Sequence, residues 1–178
     1  MIQIKDVVKS YKHVQLVYPQ ITIDKRITLL VGANGSGKST LFKALLGLVE
    51  YHGTITTNET FSYAPEHPQF PKDCTVEVFL DAICDSPYNE LLHDFGLDHK
   101  RHAIISQLSK GMQGKLNIIQ AYCHNKTTML LDEPTEGLDI QGLQQLKTIL
   151  KETTKNVIIS THNSDYFMDI AMGVIRLD

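Results

Sequence analysis

The chain has 178 residues, a formal net charge of −3, 42% apolar and 21% charged residues, which suits one soluble globular domain with a core of its own. The mildly acidic balance argues against nucleic acid as a partner, because such binders carry a basic face. No apolar run approaches the ~20 residues of a membrane span, MIQIKDVVKS is too charged for a secretory leader, and Cys74, Cys84 and Cys123 lack CxxC or Cys–His spacing, so a reducing compartment is expected, with no disulfide framework or zinc site and the thiols as small buried groups.

MIQIKDVVKSY, VQLVYPQITID and KRITLLVG read as strands rich in Val, Ile and Tyr. STLFKALLGL places Leu41, Ala44, Leu45 and Leu48 at helical spacing and closes at Gly47. Between Pro65 and Leu108 the texture changes. Pro65, Pro68 and Pro71 precede two short helical patterns, TVEVFLDAI and NELLHDFGL, which predict a helical insert within one domain. KLNIIQAYCHN reads as a helix and TTMLLDEP as a buried strand with carboxylates at its C-terminal end. DIQGLQQLKTILKE predicts an amphipathic helix with Asp139 as N-cap and Ile140, Leu143, Leu146, Ile149 and Leu150 on its apolar side. NVIISTH and GVIRL complete the strands. This alternation predicts an α/β domain with a mainly parallel sheet, whose ligands gather at the carboxyl ends of the strands.

GANGSGKST follows the strand ITLLV and opens a helix. It matches G-x-x-x-x-G-K-[ST] through Gly32, Gly37, Lys38 and Ser39. Bare backbone lets successive N–H groups turn inward around phosphates, and the helix aims its positive end at the same charge. Gly32, Asn34, Gly35, Ser36, Gly37, Lys38, Ser39 and Thr40 are therefore the candidate nucleotide cradle. Lys38 would reach the terminal phosphates and Ser39 would ligate a bridging Mg²⁺.

Such a loop needs a carboxylate for the metal and a group that activates water. Asp132, at the end of MLLD, suits the first role and Glu133 the second, as general base. His162 follows VIIST at another strand end, placed to bond a phosphate oxygen and the peptide near Glu133. LSKGMQG predicts a helix start capped by Ser109. With Gly111 it forms a second anion receptor, and two receptors for one ligand suggest a second chain.

GANGSGKST, LSKGM, MLLDEP, TEGLD and ISTH, in that order, resemble the ATP-binding cassette (ABC) ATPases over nearly the whole chain. An LS-x-G helix start just before a D-E-P strand is the discriminating combination. The resemblance implies an α/β P-loop NTPase fold with N-terminal antiparallel strands and a short helical insert. It implies one domain over residues 1–178, with a RecA-like core from 1–65 and 115–178 and a helical subdomain over 66–114. ATP and Mg²⁺ are the implied cofactors. Ser109 and Gly111 would contact the γ-phosphate held by the other subunit of a head-to-tail homodimer or heterodimer, Asp139 would couple the two sites, His162 would be the switch histidine and Tyr11 would stack on adenine.

LSKGM departs from the commoner LSGGQ at Lys110 and Met112 and resembles small bacterial exporter-type subunits. SYAPEHPQF resembles a segment that usually reads Y-x-P-Q; Glu66 stands at the metal-sensing glutamine and Gln69 follows three residues later. The chain is short for such a subunit, which implies no substrate-sensing extension. The expected function is the ATPase subunit of a transporter, peripheral on the cytoplasmic face of the membrane. It would meet a membrane-spanning subunit through the helical insert, with Phe70 either exposed for docking or turned to the core. The alternatives are a soluble cassette ATPase of repair, translation or cluster assembly, and a P-loop kinase. Repair types need a coiled-coil insertion, and no sustained heptads run between Lys38 and Ser109; translation types usually carry two cassettes in one chain, where this one has room for one; and a kinase has no use for Ser109.

Overall fold

A computed structural model describes residues 1–177. The chain opens with β1 (Ile2–Ser10), β2 (Gln15–Val17), β3 (Ile21–Ile23) and β4 (Ile27–Gly32), followed by α1 (Lys38–Leu45). Two further strands, β5 (His52–Thr57) and β6 (Phe61–Ala64), form where the sequence pattern predicts none. The helices α2 (Val76–Ile83) and α3 (Asn89–Asp94) follow, then α4 (Lys110–Cys123), β7 (Thr128–Asp132), α5 (Ile140–Glu152), β8 (Asn156–Thr161) and β9 (Gly173–Leu177).

Two sheets result. In the first, β1 pairs antiparallel with β2, β3 and β5. The second has the order β6-β7-β8-β4-β9, and all four of its pairings are parallel. Its central strands are continuous apolar runs because both faces are covered. Leu29, Leu131 and Ile159 face a core shared with α2 to α5. Leu30, Leu130 and Ile158 face a second core with α1 and the antiparallel sheet. Leu80, Leu92 and Phe95 of the helical insert belong to the first core, where α2 packs on α4 and α4 in turn on β6 and β7.

The helix ends follow local chemistry. The Ser109 hydroxyl accepts from the Met112 amide at 3.2 Å and Asp139 Oδ1 from the Gly142 amide at 2.8 Å, each capping its helix. After α1, Gly47 adopts φ +69° and its amide donates to the Ala44 carbonyl, a left-handed stop. Arg26 Nη1 donates to the carbonyls of Leu150 and Thr153 at the C-terminal end of α5.

Two expectations need correction. Ile140 is 80% exposed rather than on the apolar side of α5; it is the first residue after the cap, and packing begins about a turn later with Leu143, half-buried, and Leu146, buried. Of the three cysteines only Cys123 is buried, while Cys74 and Cys84 are partly exposed. Phe70 resolves to its inward alternative: it packs on the first core, edge-on to Phe79 with ring centroids 5.3 Å apart. No helix among the described residues is long and apolar enough to cross a membrane.

Candidate functional site

Parallel register brings the chemistry to one end of the sheet. Val31 lies opposite Thr161, and Asp132 opposite Ser160. The loop after β4, the carboxylates after β7 and His162 after β8 therefore converge. Gly35 and Gly37 hold φ of +84° and +98°, a backbone that glycine adopts without a steric cost. At Gly37 there is a second demand, because the Tyr18 hydroxyl closes on it from the connection between β2 and β3 and donates to its carbonyl at 2.9 Å. Burial, with Tyr11 adding, pushes the Tyr18 phenol well above its ordinary pKa, so it stays a donor.

Lys38 is 6% exposed, and its ammonium donates to the carbonyls of Gly32 at 2.7 Å and Ala33 at 3.1 Å. It also lies 3.1 Å from Glu133 Oε1. That contact is an ion pair without hydrogen-bond alignment, for Oε1 is buried and has no hydrogen-bond partner among the described residues. Glu133 Oε2 accepts from the His162 amide at 3.3 Å and lies 3.0 Å from His162 Nδ1. The Glu133 carboxylate, 5% exposed, is thus set between a cation and an imidazole. Its backbone has φ +45°, held by an amide that donates to both the carbonyl and hydroxyl of Ser160, each at 3.1 Å. A left-handed non-glycine residue with such anchoring is a mark of a functional site. The sequence reading directs His162 to the peptide near Glu133; here the imidazole meets the carboxylate itself.

Asp132 is 3% exposed. Ser160 Oγ donates to its Oδ1 at 2.5 Å and the Tyr63 hydroxyl to its Oδ2 at 2.9 Å. Burial, with the Asp132 charge adding, pushes the Tyr63 phenol well above its usual range. Tyr18, Tyr63 and Ser160 are absent from the residues that motif reading selects. Tyr63 and Ser160 lie inside the stretches SYAPE and ISTH, and only the fold shows their partners.

A cavity of about 530 Å³ is lined by Tyr11, Asn34, Gly35, Gly37, Lys38, Ser39, Thr40, Glu66 and Glu133. Tyr11 stands at its edge, 49% exposed, with its hydroxyl 3.4 Å from Thr40 Oγ1 and the Lys9 ammonium 5.3 Å from its ring centroid. Glu66 belongs to this lining and Gln69 does not. An adjoining cavity of about 270 Å³, between the Pro65–Pro68 segment and α4, brings Glu66, Asp132 and Glu133 together. Asn117 Nδ2 donates to the Pro65 carbonyl and Gln120 Nε2 to the Tyr63 carbonyl, both at 2.8 Å, tying α4 to this segment.

Ser36 Oγ, like Glu133 Oε1, is buried with no hydrogen-bond partner among the described residues. Buried polar atoms without partners ask for one. With Lys38 and the first-turn amides of α1, which have no acceptor within the helix, this set fits a polyphosphate. The Ser39 hydroxyl and the Glu66 and Asp132 carboxylates are the hard oxygen donors that Mg²⁺ prefers; it needs few of them, since it keeps waters and takes substrate phosphates as ligands.

Ser109 and Gly111 are outside the Lys38 cavity. Gly111 has a structural demand within its own chain: a methyl there would lie 2.6 Å from the Gly137 carbonyl oxygen. Gly111→Ala is expected to lose about 1–3 kcal/mol of stability by overpacking, as a lowered midpoint of denaturant unfolding; an unchanged midpoint would mean that the two backbones are not held together. Asp139 is 65% exposed, its carboxyl kept below the usual range by the Gly142 amide, with Lys115 at 3.5 Å adding.

Residues 21–136 match the family model described as ABC transporter. Over 151 residues the chain is 39% identical to YthP of Bacillus subtilis (strain 168), an uncharacterised ABC transporter ATP-binding protein, covering 76% of this chain and 64% of YthP. It is 30% identical over 183 residues to the lantibiotic transport ATP-binding protein SrtF of Streptococcus pyogenes, covering 91% of this chain and 80% of SrtF. Among solved structures, an ATP-binding subunit of an ABC transporter superposes with a TM-score of 0.85 at 24% identity, over 99% of this chain and 85% of that one. The chain therefore spans somewhat less than two thirds of YthP.

Proposed function

Because the chain belongs to the ABC transporter family of ATP-binding proteins, we propose that it binds and hydrolyses ATP as the motor subunit of a membrane transporter, working through ATP-dependent closure of two such chains. The observation that carries this reading is the convergence of Lys38, Glu133 and His162 at one end of the parallel sheet. ATP with Mg²⁺, when bound, supplies the phosphoryl group and part of its charge neutralisation. The chain's own residues do the rest. Lys38 exchanges the Glu133 carboxylate for phosphate oxygens. Glu133, released from the ammonium, takes the proton of the attacking water. His162 holds Glu133 in place and reports the state of the phosphate, while Ser39, Asp132 and Glu66 hold the cation. Tyr11 provides the platform for the base.

Ser109 and Gly111 are assigned to the partner chain's nucleotide, and Asp139 to the contact between the two sites. Residues 66–114 form the helical subdomain that faces a membrane-spanning subunit, and 1–65 with 115–178 the nucleotide-binding core. The protein then works on the cytoplasmic face of a membrane. The lantibiotic transport named for SrtF supports the coupling to transport, while the exporter-type assignment rests on the likeness of LSKGM.

The test is Mg-ATP hydrolysis by the purified chain, beside Lys38→Ala. The substitution is expected to weaken nucleotide binding about 10- to 100-fold, the worth of a charge-assisted hydrogen bond or two, in a titration with a fluorescent ATP analogue. Unchanged affinity would remove Lys38 from the site, and no phosphate release by the parent chain would contradict the ATPase assignment.

A further inference from the structure

The Asp132 carboxylate is held by one hydroxyl on each oxygen, from the strands on either side of its own. Ser160 lies directly opposite it in β8. Tyr63, in β6, pairs with Leu130, two residues before Asp132 and on the same face of β7. The phenol therefore reaches along the strand to Oδ2.

Two contacts besides the phenol's own hydrogen bond fix Tyr63. Its ring stands edge-on to Phe42 of α1, with centroids 6.2 Å apart and planes at 83°. Its carbonyl accepts from Gln120 Nε2 of α4 at 2.8 Å. Just past the end of its strand the chain runs through Pro65 to Glu66, which lines both cavities. The phenol thus joins the helix that opens at Lys38, the carboxylate at the end of β7 and the segment that carries Glu66. A carboxylate oxygen has two acceptor sites, so one hydroxyl on each fixes the plane of the group and leaves a site free on each oxygen.

We infer that Tyr63 is a positioning residue for the metal: its hydroxyl orients Asp132 so that the free acceptor sites meet Mg²⁺ or a water bound to it. This rests on the reading of the site as an Mg-ATP site. Hydroxyls in such a supporting position set ligand direction, and their removal typically costs 10–100-fold in metal affinity. Tyr63→Phe deletes the hydroxyl and keeps the ring that packs on Phe42.

The experiment compares the parent chain with Tyr63→Phe in two measurements. One is the affinity for a non-hydrolysable ATP analogue in EDTA and across a Mg²⁺ titration; the other is Mn²⁺ binding to the analogue complex by electron paramagnetic resonance. In EDTA the two proteins are expected to agree within about twofold. The Mg²⁺ midpoint and the Mn²⁺ dissociation constant should each rise about 10-fold in the variant. An unmoved Mg²⁺ midpoint, an equal loss of affinity in EDTA, or a variant that does not fold would overturn the inference, since it gives the hydroxyl no share in nucleotide contact or core packing. A parent protein that releases no phosphate from Mg-ATP would overturn the ATPase reading instead, which separates the two failures.

Discussion

Glu133→Gln is expected to lower ATP turnover about 10²- to 10⁴-fold, the usual contribution of a general base, and to leave nucleotide binding intact. The amide has the shape of the carboxylate and keeps an oxygen for the His162 amide, which donates to Oε2 at 3.3 Å. What it loses is the capacity to accept a proton from water. The ion pair at 3.1 Å from Lys38 also goes. Lys38 then has less to give up when phosphate arrives, so binding should be equal or tighter. Steady-state phosphate release and equilibrium titration with an ATP analogue check the two halves separately. Parental turnover in this variant would show that another group activates the water.

Ser109→Arg should abolish hydrolysis, by at least about 100-fold, while a single chain still binds nucleotide. The reason is geometric. Ser109 is exposed at the start of α4 and takes no part in the cavity around Lys38. Any contact it makes with a phosphate comes from another molecule, and donors aimed at developing charge are worth 10²–10³ in rate. The hydroxyl also caps α4, accepting from the Met112 amide, and losing a cap costs about 1 kcal/mol. Ser109→Ala is the control, because it removes the cap without filling the space. The arginine variant should be far slower than the alanine variant at similar stability, and equal rates would deny Ser109 a place at a shared site.

Much of this architecture was legible in the sequence for physical reasons. The loop of bare glycines before Lys38, the buried run ending in Asp132 and the Ser109 and Asp139 caps each announce their geometry locally. The strands β5 and β6 do not. HGTITT is largely exposed and FSYA has four residues, so neither offers an alternation long enough to read. Tyr63 and Ser160 stayed hidden for a different reason. Each acts through Asp132, on a neighbouring strand, and register across a parallel sheet is not written in either segment alone. Glu133 shows the same limit: its sequence position suggests a base, but its pairing with both Lys38 and His162 emerges only when three strand ends meet.

Two chains, each supplying half of the grip on one triphosphate, is the claim on which the motor depends. Sedimentation velocity of Glu133→Gln tests it directly. One chain weighs 20.0 kDa. In EDTA the protein should sediment as that species, and in millimolar Mg-ATP as a species of about twice the mass, reverting when Ser109→Arg is added to the same chain. A single-chain mass throughout the Mg-ATP titration, with the nucleotide shown to be bound, would contradict the account.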